Sequence, residues 1–331
     1  MTLIESIEQF KSVSFVGMEK NTGKTTCLNY VLSCLFEIGK RIALTSIGVD
    51  GEERDIIYDT PKPRIVLHPG MVFVTSEKDF EQREFPAEIL SVSDRATPLG
   101  RLVTARACGS GRVVLSGPSD SVWLQEVMAE LLGYGVELTL VDGALSRLSL
   151  ASPTVTEAMI LCTGAACSLQ LHKVIDKTKF RYHLITLDQV EDRVLQELLP
   201  IEKSIWKWDE TTAKWLKVGD SVFTTETFTG NVRRIFVGGA VTDRFLRMLC
   251  STTYMPLDLI VRDFSKLFIE PATFKRFVLL GGTIKVLHKA VLLAVCTNPV
   301  SPTGASLDPK MLREQMQEAL QVAVYDIMDR E

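Results

Sequence analysis

Short runs of Val, Ile and Leu recur through the first half of the chain and alternate with segments of helical periodicity. Runs at Val13–Val16, Ile42–Thr45, Met71–Val74, Val113–Leu115, Leu138–Val141 and Met159–Cys162 read as strands. Their near-continuous apolarity is the texture of a parallel sheet with helices on both faces. Between the first two runs, Leu28, Val31, Leu32, Leu35 and Ile38 fall on one helical stripe, and Gly39 stands where a left-handed residue ends a helix. A second strand–helix–strand unit runs from Val113 through Ser116-Gly-Pro-Ser119, where a serine can cap a helix ending near Leu132-Gly133. It returns along Val136–Val141, and its strands are expected at the sheet centre.

Beyond Asp188 the texture changes. Ile205-Trp-Lys-Trp208, the polar turn Asp209-Glu-Thr-Thr212 and Trp215-Leu-Lys-Val218 read as a hairpin, with Ser221–Phe228 as more strand. Alternation then resumes: a strand at Arg234–Val237, a helix at Thr242–Cys250, a strand at Val291–Cys296 and an amphipathic C-terminal helix from Pro309 to Met328. The expectation is an α/β protein with a P-loop NTPase-like, mostly parallel sheet over residues 1–188. A second, smaller α/β or α+β region over 189–331 would carry the Trp-rich hairpin and serve regulation or partner contact.

Composition narrows the choice. With 331 residues, 46% of them hydrophobic and 24% charged, the chain is long enough for two packed domains. Lys and Arg total 37 against 41 Asp and Glu, so no basic excess is available for a nucleic-acid backbone or an anionic membrane. Seven cysteines without a C-x-x-C pair argue against a disulfide framework or a zinc finger and fit a reducing cytoplasm. The first ten residues carry acids where a signal peptide needs bases, and the longest apolar run, Ala290–Cys296, is far shorter than a membrane helix.

The most informative stretch is Gly17-Met-Glu-Lys20-Asn21-Thr22-Gly23-Lys24-Thr25-Thr26, set between the first strand and its helix. Such a loop lets backbone N–H groups wrap a polyphosphate, while Lys24 reaches the β- and γ-phosphates and the Thr25 hydroxyl ligates Mg²⁺. The loop departs from the strict Walker A form: five residues separate Gly17 from Gly23, and Met18 stands in place of the first glycine. It is either a working phosphate loop or one that keeps the shape without the ligand. A Mg²⁺-triphosphate site also needs an acid at a neighbouring strand end, which Leu138-Thr-Leu-Val-Asp142 supplies. Asp50, before Gly51, is either a second acid near the γ-phosphate or a turn aspartate. The Asn/Thr-Lys-x-Asp box that reads guanine is absent, which leaves ATP by elimination. Asn298, before Pro299, is either an adenine contact or an ordinary strand end, and Lys20 either touches phosphate or is solvated.

Other residues carry weaker signals. Cys162 and Cys167 lie five apart, a spacing that holds a metal only with further ligands, and buried thiols are commoner. His68, His183 and His288 have no acid at catalytic spacing. Trp206, Trp208 and Trp215 either offer a face to a partner or pack the hairpin on its own domain. Arg147 either touches phosphate or a neighbouring subunit, or lies on the surface.

Six strings, Thr45-Ser-Ile-Gly-Val-Asp50-Gly51-Glu52, Pro61-Lys-Pro-Arg64, Thr97-Pro-Leu-Gly100, Ser116-Gly-Pro-Ser119, Val141-Asp-Gly-Ala-Leu-Ser-Arg147 and Asn298-Pro-Val-Ser-Pro302, spread over most of the chain. Together they resemble the small subunit of the lysine 5,6-aminomutase reactivase. That resemblance implies an ATP-binding accessory protein of lysine fermentation that restores an adenosylcobalamin-dependent aminomutase after cofactor damage. It would work with a companion ATPase subunit similar to a mismatch-repair ATPase, in a homo- or hetero-oligomer. The rival expectations are a P-loop kinase or ATP-dependent ligase acting on a small molecule, and an inert nucleotide-binding scaffold.

Overall fold

A computed structural model describes residues 2–47, 64–144, 152–201, 203–220, 232–251 and 256–326. The chain divides into two compact units, residues 1–179 with 291–331, and residues 180–290.

The first unit opens with a short helix, α1 (Leu3–Ile7), closed by a capping box in which Thr2 and Glu5 bond each other's backbone N–H. Then follow β1 (Ser12–Gly17), α2 (Lys24–Glu37), β2 (Ile42–Ser46), β3 (Ile65–Leu67), β4 (Val72–Ser76), α3 (Glu77–Glu81), the hairpin β5 (Ala87–Thr97) and β6 (Gly100–Ala107), β7 (Gly111–Val113), α4 (Ser121–Leu132), β8 (Leu138–Ala144), β9 (Ala158–Gly164) and α5 (Leu171–Ile185), whose residues from Phe180 onward fall in the second unit. The second unit holds α6 (Asp192–Leu198), β10 (Ile205–Asp209), β11 (Lys214–Gly219), β12 (Arg234–Val237), β13 (Val241–Thr242), α7 (Asp243–Cys250), β14 (Asp258–Val261), β15 (Leu267–Phe268), α8 (Pro271–Leu279) and β16 (Thr283–Val286). The chain returns to the first unit with β17 (Leu292–Asn298), α9 (Pro309–Ala319) and β18 (Ala323–Asp326).

Among the described residues, nine strands of the first unit form one sheet in the order β18-β17-β9-β1-β8-β2-β4-β6-β5. Every pairing from β18 to β4 is parallel, and β6 and β5 continue the edge antiparallel. Successive strand residues face opposite sides, and the packing follows that alternation. Ile42, Leu44 and Phe73 join the core formed with Leu28, Val31, Leu32 and Leu35 of α2. Ala43, Val72 and Val74 instead pack with Trp123, Val127 and Leu131 of α4. Helices therefore cover both faces, and each fully buried Leu, Ile or Phe contributes about 1.5–3 kcal/mol of hydrophobic stabilisation.

The second unit repeats the logic on a smaller scale. Its sheet, β11-β10-β12-β14-β16, has β12, β14 and β16 parallel and the β10–β11 hairpin antiparallel. Ile235, Val237, Leu259 and Val261 pack with Phe245, Leu246, Leu249 of α7 and Phe277 of α8. On the other face, Phe236 and Ile260 meet Leu198 of α6, with Trp206 and Trp215 packed against them. Trp208 lies opposite Trp215 in the hairpin, with ring centroids 5.5 Å apart and edge to face. The tryptophans thus furnish the hairpin's own packing.

Four expectations need correction. Residues 291–331 belong with the first unit, because β17 hydrogen-bonds to β9 and continues its sheet. The strand before α4 is not central: β7 pairs antiparallel with β3 in a separate two-stranded ribbon. The cap of α4 is Asp120, whose carboxylate accepts from the Trp123 N–H at 2.9 Å, and not a serine. The C-terminal helix stops at Ala319, since Leu320 is extended and Ala323–Asp326 pairs in parallel with β17. Ser221–Phe228 lies outside the described residues. No described helix is long and apolar enough to cross a membrane.

Candidate functional site

β1 sits between β9 and β8 at the middle of the large sheet, and its C-terminal end is where open parallel sheets present their ligand crevices. The strand stops at Gly17 because the chain must turn back tightly: a Cβ there would lie 2.6 Å from Thr22 Oγ1. Met18 is buried and donates its N–H to the Cys162 carbonyl at 2.8 Å, while Glu19 and Lys20 are exposed. Thr22, almost fully buried, donates its hydroxyl to the Glu19 carbonyl at 3.0 Å. Asn21 and Gly23 are left-handed, at φ 62° and 82°, which brings the loop back over itself and delivers Lys24 as the first residue of α2.

Gly23 is the N-cap of α2, and no side-chain hydrogen bond closes it. The first turn carries Lys24, Thr25 and Thr26 and no acid. Such a terminus offers backbone N–H groups and a positive dipole end to an anion. The hydroxyl-bearing Thr25 is half-buried, and Thr26 is exposed.

Asp142 reaches the same place from the neighbouring strand. β8 is in register with β1 so that Asp142 stands opposite Phe15, and Lys24 Nζ lies 2.7 Å from Asp142 Oδ1. Both side chains are about four-fifths covered, 21% and 18% exposed. The pair is therefore less screened than a surface ion pair, and it sets an ammonium and a carboxylate side by side at the strand ends. On the far side of β8, Ser46 at the end of β2 donates its hydroxyl to the Asp142 carbonyl at 3.1 Å.

Asn298, at the end of β17, is brought to this loop: its side-chain N–H₂ donates to the Asn21 carbonyl at 3.3 Å, and its Oδ1 accepts from the Val300 N–H at 3.1 Å. It acts here as a brace for the loop. The loop is fixed on its other flank by an ion pair, Lys177 with Glu19 at 3.1 Å, and by the Thr178 hydroxyl against Met18 Sδ at 3.4 Å. Asp50 and Arg147 lie outside the described residues.

Two buried polar groups near these strand ends escaped sequence reasoning. Asp79 accepts from Ser76 Oγ at 2.8 Å and from Ser116 Oγ, tying the end of β4 to the Ser116-Gly-Pro-Ser119 segment. The second is a cluster of thiols beneath the loop. Cys27 of α2, Cys162 of β9 and Cys296 of β17 all lie in one core, each with at most 1% exposure. Cys162 and Cys296 are direct neighbours across the parallel pair, and Cys27 Sγ approaches Cys296 Sγ to 3.3 Å. Hydrogen bonds from Cys27 and Cys296, aided by the Lys24 ammonium, hold the Cys162 thiol below its ordinary value. The contact with Cys162, together with burial, pushes Cys27 and Cys296 well above theirs. The spacing Cys162–Cys167 gave no hint of this, because the partners come from residues 27 and 296.

The histidines lie elsewhere: His68 stacks on Phe36 at 4.6 Å, His183 meets Phe274, and burial together with Arg262 pushes the His288 pKa down. Among the described residues, no group of three His, Cys, Asp or Glu side chains is arranged to hold a metal ion. No protein-family model, no curated protein and no solved structure matches this chain, so its function rests on its own geometry and its sequence motifs.

Proposed function

We propose that this chain binds a nucleoside triphosphate with Mg²⁺, ATP in first place, at the β1–α2 turn. The observation that carries the reading is the uncapped, acid-free N-terminus of α2 with the Lys24–Asp142 pair beside it. Gly17, Lys20, Asn21, Thr22, Gly23, Lys24, Thr25 and Thr26 would cradle the phosphates as a P-loop. Lys24 would leave Asp142 for the β- and γ-phosphates, while Thr25 and Asp142 would hold the metal directly or through its waters.

The biological role we infer is that of an ATP-dependent accessory protein, a reactivase component for an adenosylcobalamin-dependent lysine aminomutase. What supports the mutase and the companion ATPase subunit as partners is the sequence resemblance. In that role the nucleotide acts by binding one conformation of the partner complex more tightly than another.

One observation favours an inert nucleotide-binding scaffold as a second reading. Met18, which replaces a loop glycine, commits its N–H to the Cys162 carbonyl and so removes one donor from the phosphate cradle. For the kinase or ligase reading, the structure offers a cleft of about 290 Å³ bordered by Ser91, Asp94, Arg95, Trp123 and Glu126. No loop residue lines it.

Calorimetric titration with ATP, with and without Mg²⁺, tests the site. Asp142→Asn keeps the shape and removes the anion, so Mg²⁺-dependent tightening is expected to fall while metal-free binding changes less. Unchanged Mg²⁺ dependence would move the metal role away from Asp142, and no binding at all would remove the site. Phosphate release that appears only with the mutase and companion subunit supports the reactivase; nucleotide binding without turnover under any condition leaves the scaffold.

A further inference from the structure

We propose that Cys27 and Cys296 form a modification site: hydrogen peroxide converts them to an intramolecular disulfide that closes the phosphate site, and reduction reopens it. The gating half of this proposal rests on the phosphate-binding reading; the disulfide half does not.

The geometry comes first. Three thiols from three separate elements converge, and the closest pair, at 3.3 Å, joins the first turn of α2 to β17. A disulfide needs its sulfurs at about 2.05 Å, so closure asks for a movement of roughly 1.2 Å. Cys27 shares that turn with Lys24 and bonds its N–H to the Gly23 carbonyl at 2.9 Å. A covalent pull on Cys27 therefore acts on the residues that would hold phosphate. β17 is already tied to the loop through Asn298 and Asn21, which makes it the fixed end of the bond.

Access and reactivity follow from the surroundings. The thiols are buried, but Lys24 and Asp142 above them are each about one-fifth exposed, and both charges act on Cys162. An oxidant close to water in size can enter from that polar side during local opening, and a bound polyphosphate would cover the route. Cys162 sits beside the pair as the direct neighbour of Cys296 across the parallel strands.

The chemistry balances. One thiol of the pair attacks a peroxide oxygen; the O–O bond breaks, hydroxide leaves with the thiol's proton as water, and a sulfenic acid remains. The second sulfur attacks the sulfenic sulfur, the S–O bond breaks, and hydroxide leaves with the second proton as another water. The two thiols lose two electrons and the peroxide gains them. In a reducing compartment such a bond is a transient signal rather than a structural staple.

The Cys108→Ser variant of this chain, which lacks the one exposed cysteine among the described residues, is treated with hydrogen peroxide, alkylated and digested, and its disulfides are mapped by mass spectrometry. A Cys27–Cys296 cross-link that forms more slowly with MgATP present, and that dithiothreitol reverses, is the expected result. ATP affinity should fall at least tenfold on oxidation and recover on reduction, and Cys296→Ser should abolish both changes, with Cys27→Ala as a second variant should the first fail to fold. Oxidation confined to Cys34 and other thiols, with Cys27 and Cys296 still reduced, overturns the modification site. A mapped cross-link with unchanged ATP affinity overturns the gating and leaves the phosphate site standing. If the reduced protein binds no ATP, the phosphate reading and the gating fall together, while the mapped cross-link still establishes the thiol pair.

Discussion

The β1–α2 turn and the β12–α7 turn both carry the chain from a buried parallel strand through glycine into a helix, yet the two helix N-termini are finished differently. At β12, Gly238, Gly239 and Ala240 lead to Thr242, whose hydroxyl accepts from the Phe245 N–H, and Asp243 follows in the first turn. The chain fills that terminus with its own hydroxyl and carboxylate. At β1, the N-cap is a left-handed glycine without a side chain, and the first helical residue is a lysine. A strand–glycine–helix pattern therefore says only that a turn is tight. Whether an anion from outside is welcome depends on the cap residue and on the sign of the first-turn charge.

The sharpest way to break this contrast is Lys24→Ala. It should weaken triphosphate binding by about 2–3 kcal/mol, roughly a hundredfold, as a lost charge-assisted contact does, with the circular dichroism spectrum unchanged. Equal affinity in the variant would put the two turns in one class. Next in size is Gly23→Ala, where a side chain must adopt φ near 82° and stability should drop by about 1–2 kcal/mol in chemical denaturation. Gly239→Ala has no positive φ to strain and open space around its new Cβ, so its effect should stay within about 0.5 kcal/mol.

Removing the cap at the closed turn, Thr242→Ala, should cost about 1 kcal/mol of stability and leave ATP titrations untouched. The smallest effect concerns pH. Against a desolvation that pushes it up, the Glu270 N–H, Thr273 and the Arg247 guanidinium hold the Asp243 carboxyl below its ordinary value. A depressed carboxyl stabilises the fold above its unfolded pKa of about 3.9 and loses that contribution as pH falls through the lower folded value. Thermal melts of Asp243→Asn should therefore separate from those of the parent at neutral pH and converge with them below about pH 4. Parallel curves at every pH would show that the carboxylate does not support this terminus.

The two turns were unequally legible in the sequence for physical reasons. β1, α2 and β8 announce themselves because strands buried on both faces and a helix with one apolar stripe leave dense, periodic signals, and those elements place Lys24 and Asp142. The β5–β6 hairpin went unseen because it lies at the sheet edge, where Glu88, Asp94, Arg95, Arg101 and Arg106 interrupt any apolar run. Ala323–Asp326 continues the polarity rhythm of α9 and becomes a strand only because β17 offers it a partner. The thiol cluster was invisible for a different reason: its members, 27, 162 and 296, meet only through sheet order, which local patterning does not encode.

The pairing of β9 with β17 bears on how the chain is made. β9 is complete at Gly164, but the strand that covers its outer edge ends at Asn298, and the whole second unit is translated in between. At a synthesis rate of about 5–20 residues per second, that edge stays uncovered for roughly 7–27 seconds on the ribosome. During this interval residues 180–290 can collapse around their own core, while an apolar strand with free backbone groups waits on the nascent chain. The waiting edge is the point at which a ribosome-associated chaperone would be needed, and at which a stalled or truncated product would aggregate first.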